Sequence, residues 1–333
     1  MIIQAPYLVF LGDATDKLSI KMAQGVADWR TQHCVGEMSV SGCSVTTGLK
    51  QMDITTAASL GAKTFVLGFA NSGGYLEPKW LPYIRTALRA GMDVVSGLHD
   101  RLIDIDDIRL LATQLNKQLI DIRHPQAKFQ TGTGVKRSGK RLLTVGTDCS
   151  VGKMYTSLAI EKHLQASGVS ATIKATGQCG ILIAGEGVAI DCVASDFISG
   201  AVEQLSPSTK AAHWDIIEGQ GSLSHPAFAG VSLGLLHGAQ PDALIVCHAL
   251  GRSHMRGLPE QSLPTIQQTI ANNEQAARLT NPNATVIGVS VNTSSVSKEE
   301  GVAYCERLTE ALGMPCVDPL RMSVGALVAG LPL

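Results

Sequence analysis

One segment constrains the fold of this chain more than any other. Residues 142–164, LLTVGTDCSVGKMYTSLAIEKHL, contain an apolar strand that ends at Gly146, a short loop that closes at Gly152 and Lys153, and an amphipathic helix. In such a segment the loop N–H groups and the positive end of the helix dipole point into one concavity, to which Lys153 adds a full charge. The segment therefore predicts a phosphate-binding loop within a fold of alternating strands and helices.

This loop departs from the common G-x-x-x-x-G-K-[ST] pattern. Five residues separate Gly146 from Gly152, and Met154 stands where a hydroxyl would bind Mg²⁺. A thioether does not replace a hydroxyl on a hard cation. Either Met154 packs inward and a metal is held elsewhere, or the loop holds a diphosphate that is not hydrolysed. We expect the second, with no metal required. The cofactor-binding candidates in the loop are Gly146, Thr147, Cys149, Ser150, Val151, Gly152, Lys153, Met154 and Tyr155.

Apolar strand-like runs alternate with helical stretches on both sides of a polar, Gly-rich segment. This alternation predicts two α/β parallel-sheet domains, over residues 1–125 and 141–333, joined by a linker or mobile loop at 126–140. In the first domain the strand-like runs are PYLVFLG, KTFVLGF and DVVSGLH. In the second, helices are predicted from Lys153 to about Gln165, from about Pro264 to Ala277, and from about Lys298 to Leu312.

Charge and composition exclude several classes of partner. The chain has 27 basic and 28 acidic residues, so no strong field would draw it to nucleic acid or to an anionic membrane. Its eight cysteines are scattered without a CxxC pair, which indicates reduced thiols in a cytosol. No apolar run approaches the ~18 residues of a membrane span. We expect a soluble cytoplasmic protein with small-molecule substrates.

Two elements resemble those of dethiobiotin synthetases. GTDCSVGK, from Gly146, is similar to the GTDxxVGKT loop of that family, and IIEGQGSL, from Ile216, resembles its acidic EGAGG element. The resemblance implies a P-loop NTPase-like doubly wound domain. Asn292 is placed like the adenine-reading Asn of this branch, and Lys174 like the Lys on the strand after the loop helix.

The whole chain is similar to a bacterial and archaeal family long described as a domain of unknown function. That family has a Rossmann-like N-terminal domain before its P-loop domain, and it includes the DgcN-type D-glutamate N-acetyltransferases. The resemblance is carried by NSGGYLEPKW (71–80), GMDVVSGLHDRL (91–102), GTDCSVGKM (146–154), the run from Glu218 to His248, and Gly251-Arg252. It implies acetyl-CoA as donor, D-glutamate as acceptor, and a dehydrogenase acting on N-acetyl-D-glutamate as the pathway neighbour.

Acyl transfer to an amine requires a base, and three residues are candidates. Glu218 follows an apolar strand and precedes Gly-Gln-Gly, so its carboxylate is expected in the crevice at the carboxyl ends of the strands. Asp148 lies inside the phosphate loop, although an Asp there often accepts loop N–H bonds. His225 follows Glu218 by seven residues, and histidine is a common base in catalysis near neutral pH.

The carboxylates of D-glutamate require cations. Lys174, Arg252 and Arg256 are the candidates, since arginine suits planar bidentate contacts with carboxylates. Two alternative functions remain open. One is an ATP-dependent ligase or kinase in which Glu218, with Asp191 or Asp196, holds Mg²⁺. The other is a nucleotide-binding regulator without chemistry. A homo-oligomer is expected because many enzymes of this size pair through symmetric faces.

Overall fold

The computed structural model describes residues 3–17, 19–70, 74–125 and 127–331. The chain divides into two units. The first takes Met1–Gln126 and Gly177–Cys192, and the second takes Ala127–Thr176 and Val193–Leu333.

Within the described ranges there are thirteen strands: β1 (Tyr7–Gly12), β2 (Cys34–Ser39), β3 (Thr64–Leu67), β4 (Asp93–Ser96), β5 (Leu119–Asp121), β6 (Lys140–Gly146), β7 (Ala171–Lys174), β8 (Trp214–Ile217), β9 (Ala243–Ala249), β10 (His254–Met255), β11 (Leu258–Ser262), β12 (Thr285–Asn292) and β13 (Cys316–Val317).

The same residues contain eleven α-helices: α1 (Lys21–Arg30), α2 (Ile54–Ser59), α3 (Leu81–Arg89), α4 (Asp106–Gln114), α5 (Lys153–Ala166), α6 (Gln178–Ala184), α7 (Ile198–Leu205), α8 (Ala229–Ala239), α9 (Ile266–Ala277), α10 (Lys298–Leu312) and α11 (Gly325–Val328).

The first unit is built on a five-stranded parallel sheet in the order β2-β1-β3-β4-β5. Strand β1, which lies between β2 and β3, is buried along its whole length, as expected where helices cover both faces of a parallel sheet. The Phe10 ring stacks on Phe65 with 5.1 Å between ring centroids, in the middle of the apolar core. The predicted Rossmann-like α/β architecture is confirmed.

The sequence segment 71–80 lies partly outside the described residues. Residues 71–73 belong to the part that is not described. Pro78–Trp80 form a short 3₁₀ turn, and the Trp80 ring is buried against Phe69 with 4.2 Å between ring centroids. Trp80 therefore belongs to the core of the first unit.

Residues 177–192 lie within the stretch that the sequence places in the P-loop domain, yet they pack with the first unit. Helix α6 buries Ile181, Leu182 and Ile183. Arg30 of α1 donates from Nε to the carbonyl oxygen of Ile183 at 2.9 Å. Further along, Arg123 pairs with Asp191 at 2.7 Å. Apolar burial and two arginine contacts thus attach this segment to the first unit.

The second unit contains a six-stranded parallel sheet in the order β13-β12-β9-β6-β8-β7, with β10 and β11 as a separate antiparallel hairpin. This confirms the predicted P-loop NTPase-like α/β class. Because the six strands run in one direction, their carboxyl ends share one edge. The strands β6, β8, β9 and β12 end there, at Gly146, Ile217, Ala249 and Asn292.

Residues 127–138, most of the predicted linker or mobile loop, form neither helix nor strand. The Glu203 carboxylate of α7 accepts the backbone N–H groups of Thr133 and Gly134, each at 2.9 Å. Arg137 donates to the carbonyl oxygens of Glu203 and Gly238. These contacts attach the segment to α7 and α8.

Across the described residues, no helix combines the length and the apolar character that a membrane crossing requires.

Candidate phosphate-binding site

The phosphate loop connects β6 to α5 through two residues in the left-handed conformation. Ser150 has φ +53° and Gly152 has φ +102°. Glycine adopts this region without strain, whereas a serine there costs about 1 kcal/mol or more unless its surroundings impose it. The turn brings the chain to the start of α5, whose first-turn N–H groups have no acceptor within the helix. The loop therefore has the backbone of an anion site.

Lys153 is the first residue of α5, and its side chain folds back into the loop. It is buried, and its Nζ donates to the main-chain carbonyl oxygen of Asp148 at 2.8 Å. Burial lowers the pKa of the Lys153 ammonium, while nearby groups, Glu218 among them, act in the opposite direction. A phosphate in the loop would add negative charge beside this ammonium and favour its charged form.

The Asp148 carboxylate is fully buried and already has three donors. Its Oδ1 accepts the N–H of Cys149 at 2.6 Å. Its Oδ2 accepts Nη1 of Arg252 and the backbone N–H of Arg256, both at 2.8 Å. The sequence predicted these two arginines to bind substrate carboxylates, but in the structure both contact the phosphate loop.

His225 lies against the same loop. Its Nδ1 accepts the N–H of Ala227 at 3.2 Å, so the opposite nitrogen, Nε2, donates to the carbonyl oxygen of Arg256, also at 3.2 Å. These partners assign a neutral imidazole with hydrogen on Nε2. His225 thus touches the segment that carries Arg256.

Within the described ranges, one group of His, Cys and acidic side chains has donor atoms close enough together for a metal ion. In Asp148, Cys149 and His225 these atoms lie within 4.8 Å of one another. Both Asp148 oxygens and both His225 nitrogens already have protein partners. Burial raises the pKa of Cys149, which disfavours the thiolate that binds metals and attacks thioesters. The donor set does not fit a metal ion.

Glu218 follows β8 and is buried beside β7. Its Oε2 accepts the N–H of Thr176 at 3.0 Å. The next residue, Gly219, donates its N–H to Oγ1 of Thr144 at 3.0 Å. A Cβ added to Gly219 would lie 1.6 Å from the Thr144 carbonyl oxygen and 3.0 Å from Cδ of Lys153. Glycine thus lets the acidic segment lie directly against β6 and the loop lysine.

Asn292, at the end of β12, is also brought to the loop. Its Cβ lies 3.9 Å from the position that a Cβ on Gly152 would occupy. Its Oδ1 accepts the N–H of Ser294 at 3.0 Å, which orients the side-chain amide. Asn292 is therefore placed beside the start of α5.

Lys174 is not brought to the loop. Its ammonium pairs with Asp215 at 3.6 Å. Asp215 aligns with Arg141 in the sheet, and Arg141 lies five residues before Gly146, toward the opposite end of β6. The Lys174 head group thus belongs to a cluster distant along the strand from the phosphate loop.

The other loop residues contribute to packing and to one unexpected contact. Val151 is buried with Cys247 and Ala249, while Met154 and Tyr155 are half-buried in the first turn of α5. Thr147 is buried, and its Oγ1 lies 3.2 Å from Nδ1 of His248. Burial, and to a lesser degree Arg252, lowers the pKa of His248.

His248 is not among the site residues predicted from the sequence. It is, however, the penultimate residue of the buried strand β9, whose end lies at the same edge of the sheet as the loop. That position in the sequence indicates a side chain near the site.

Two family models match the chain. Residues 32–125 match the Rossmann-like N-terminal domain of the DUF1611 family, a domain of unknown function, and residues 128–328 match its C-terminal P-loop domain. A crystal structure of a DUF1611 family protein from Anabaena variabilis is 28% identical, with a TM-score of 0.87 over 98% of both chains.

Two relatives carry the name D-glutamate N-acetyltransferase. The one from a Pseudoalteromonas species is 65% identical over 331 residues, which is 99% of this chain and 100% of the relative. The one from Tritonibacter scottomollicae is 46% identical over 329 residues, 99% of each chain.

Proposed function

This chain belongs to the DUF1611 family, and from that premise we propose that it is a D-glutamate N-acetyltransferase. The observation that carries the proposal is the 65% identity to a relative of that name over 331 residues. Because this identity extends over essentially the whole chain, it includes both units. The enzyme class is an acyltransferase.

The proposed donor is acetyl-CoA. The neutral amino group of D-glutamate attacks the thioester carbonyl carbon. A C–N bond forms and the C–S bond breaks. The nitrogen loses one proton, and the departing thiolate of coenzyme A gains one proton to become the free thiol. A base assists the loss of the amine proton, and N–H donors stabilise the oxyanion. The products are N-acetyl-D-glutamate and coenzyme A.

The phosphate loop is proposed to hold the donor's diphosphate. The buried Lys153 ammonium and the loop N–H groups support this assignment, since both offer positive charge to phosphate oxygens. Asn292 beside Gly152 supports adenine binding next to the diphosphate. No metal is proposed, because Met154 offers no hydroxyl and the donors of Asp148 and His225 are already engaged.

A long flexible arm separates the diphosphate of coenzyme A from its thioester. Residues that bind the diphosphate therefore need not touch the reacting carbonyl. Of the three candidates for the base we favour Glu218 over Asp148 and His225, because both Asp148 oxygens and both His225 nitrogens already have protein partners. Lys174 and Arg256 stay candidates for the substrate carboxylates. Substitution of the base is expected to lower kcat, whereas substitution of a substrate-binding residue is expected to raise the KM of the substrate that this residue binds.

The test is direct. Purified protein is incubated with D-glutamate and acetyl-CoA, and separately with D-glutamate, ATP and Mg²⁺, while free thiol and ADP are followed. The expected result is release of thiol from acetyl-CoA in the presence of D-glutamate and of a metal chelator. L-glutamate replaces D-glutamate in the control reaction. ADP formation without thiol release would instead support an ATP-dependent ligase, and neither product would support a regulator.

Three broader proposals accompany this function. We place the enzyme in the cytoplasm, where acetyl-CoA is available. A homo-oligomer is proposed, to be checked by light scattering. A dehydrogenase acting on N-acetyl-D-glutamate is proposed as the next enzyme, because acetylation masks the amine while leaving the α-carbon open to oxidation.

A further inference from the structure

We propose that Arg252 is a positioning residue that shapes the phosphate loop and does not bind D-glutamate. This inference rests on the proposed function, since it assigns Arg252 to the binding of the acyl donor. It replaces the role in substrate carboxylate binding that the sequence suggested for this arginine.

The guanidinium of Arg252 contacts three consecutive loop residues. Nη1 donates to Oδ2 of Asp148 at 2.8 Å and to the carbonyl oxygen of Cys149 at 2.6 Å. Nη2 donates to the carbonyl oxygen of Ser150 at 3.2 Å. A planar guanidinium presents its donors in a fixed geometry, so these bonds restrain three acceptors relative to one another.

The two carbonyl contacts determine where the loop N–H groups point. In a planar trans peptide the C=O of one residue and the N–H of the next point in opposite directions. Directing the Cys149 carbonyl toward Arg252 turns the Ser150 N–H away from it. Directing the Ser150 carbonyl toward Arg252 does the same for the Val151 N–H. Arg252 thus orients donors that a phosphate would use.

The neighbouring segment supports the same arrangement. Arg256 donates from its backbone N–H to Asp148 at 2.8 Å and from Nη1 to the Ser150 hydroxyl. Its carbonyl oxygen accepts from His225. Ser150 is the loop residue with the unfavourable positive φ, so contacts on both sides of it oppose relaxation of the backbone.

Arg252 also forms an ion pair with the loop residue Asp148. The Asp148 carboxylate is fully buried, and the Arg252 side chain is 27% exposed. Removing the guanidinium would leave a buried carboxylate without its cation, which is strongly unfavourable. The loop would then rearrange to reach solvent or another donor, and its N–H groups would lose their alignment.

The two roles predict opposite kinetic effects. If Arg252 positions the loop, Arg252→Ala raises KM for acetyl-CoA and the dissociation constant of coenzyme A by at least about tenfold, with KM for D-glutamate within about twofold. Arg252→Lys keeps a cation for Asp148 but loses the two-pronged contact, so it falls between wild type and Arg252→Ala. Arg278→Ala, which removes an exposed arginine of the same unit, serves as the control and leaves both constants unchanged.

Coenzyme A binding is measured by calorimetry and the two KM values by thiol release, after circular dichroism has shown folded protein. If Arg252→Ala does not fold, the same measurements on Arg252→Lys distinguish the positioning role from substrate binding. A tenfold rise in KM for D-glutamate with unchanged coenzyme A binding overturns the inference.

These measurements separate this inference from the proposed function. A wild-type protein that binds coenzyme A without turnover, and loses that binding in Arg252→Ala, overturns only the proposed function. An active wild-type enzyme whose coenzyme A affinity is the same in both Arg252 variants overturns only the positioning role. A wild-type protein that neither binds nor reacts overturns both.

Discussion

Nζ of Lys153 lies 2.8 Å from the main-chain carbonyl oxygen of Asp148, so the loop lysine is held across the loop that it closes. Lys153→Ala is expected to raise KM for acetyl-CoA about tenfold or more, well beyond its effect on KM for D-glutamate, because the ammonium acts on the donor's phosphates. Steady-state kinetics with each substrate varied in turn measures this. Lys162→Ala, an exposed lysine of α5, is the matched control. An unchanged donor KM would count against the loop assignment.

Gly219→Ala is expected to destabilise the protein by about 3 kcal/mol, because the new Cβ would meet the Thr144 carbonyl oxygen at 1.6 Å and the backbone must shift. Gly230→Ala is the control. That glycine lies near the start of α8, and an added Cβ meets nothing within 4 Å, so a gain of up to about 1 kcal/mol is expected. Urea denaturation of both variants measures the difference. Equal stabilities would contradict the close approach of Gly219 to β6.

The acid sensitivity of the fold is expected to depend on His248. Burial lowers the pKa of His248 in the folded state, so below the unfolded value of about 6.5 the unfolded chain binds a proton that the folded chain does not. Stability is therefore lost as the pH falls below that value. In His248→Gln, Tm should fall less steeply between about pH 7 and pH 5.5 than in wild type. His254→Gln, which removes a histidine at an exposed position, is the matched control.

The contacts of Glu203 are expected to protect the segment at 127–138 from exchange. Partial burial alone would raise the pKa of Glu203, but the N–H donors of Thr133 and Gly134 outweigh it and leave the pKa below its usual value. Glu203→Ala should speed hydrogen exchange of those two amides at neutral pH, while Glu306→Ala on α10 should not. In wild type the protection should fade as the pH drops through the lowered pKa of Glu203. Unchanged exchange in Glu203→Ala would show that other contacts hold the segment.

Periodic, locally encoded elements were predictable. Helix α10 was predicted at Lys298 to Leu312 and is found there, and α5 begins at Lys153 as the glycine-lysine pair indicates. Strand β2 was missed because it is a half-buried edge strand that contains Gly36 and the buried Glu37. The Glu37 carboxylate accepts from Thr46, Thr47 and Gln51, a loop that no local pattern connects to it.

The site was predictable only in part, for a similar reason. The loop, Glu218 and Asn292 each follow a buried strand, so their common edge follows from parallel topology. The pairing of Arg252 with Asp148 spans 104 residues and depends on how the chain after β9 folds back over the loop. Arginine suits both a substrate carboxylate and a buried aspartate, and the residue type alone does not distinguish them.

The packing of α6 with the first unit has a consequence for biosynthesis. Ribosomes make the N-terminal end first, and contiguous domains can fold as they emerge. Here the first unit lacks helix α6 until residue 184 has been translated, and by then β6, α5 and β7 have also been translated. The nascent chain must therefore keep an incomplete surface beside α1 while part of a second sheet is already present. An N-terminal half that ends at residue 126 would therefore lack residues 177–192, which complete the first unit.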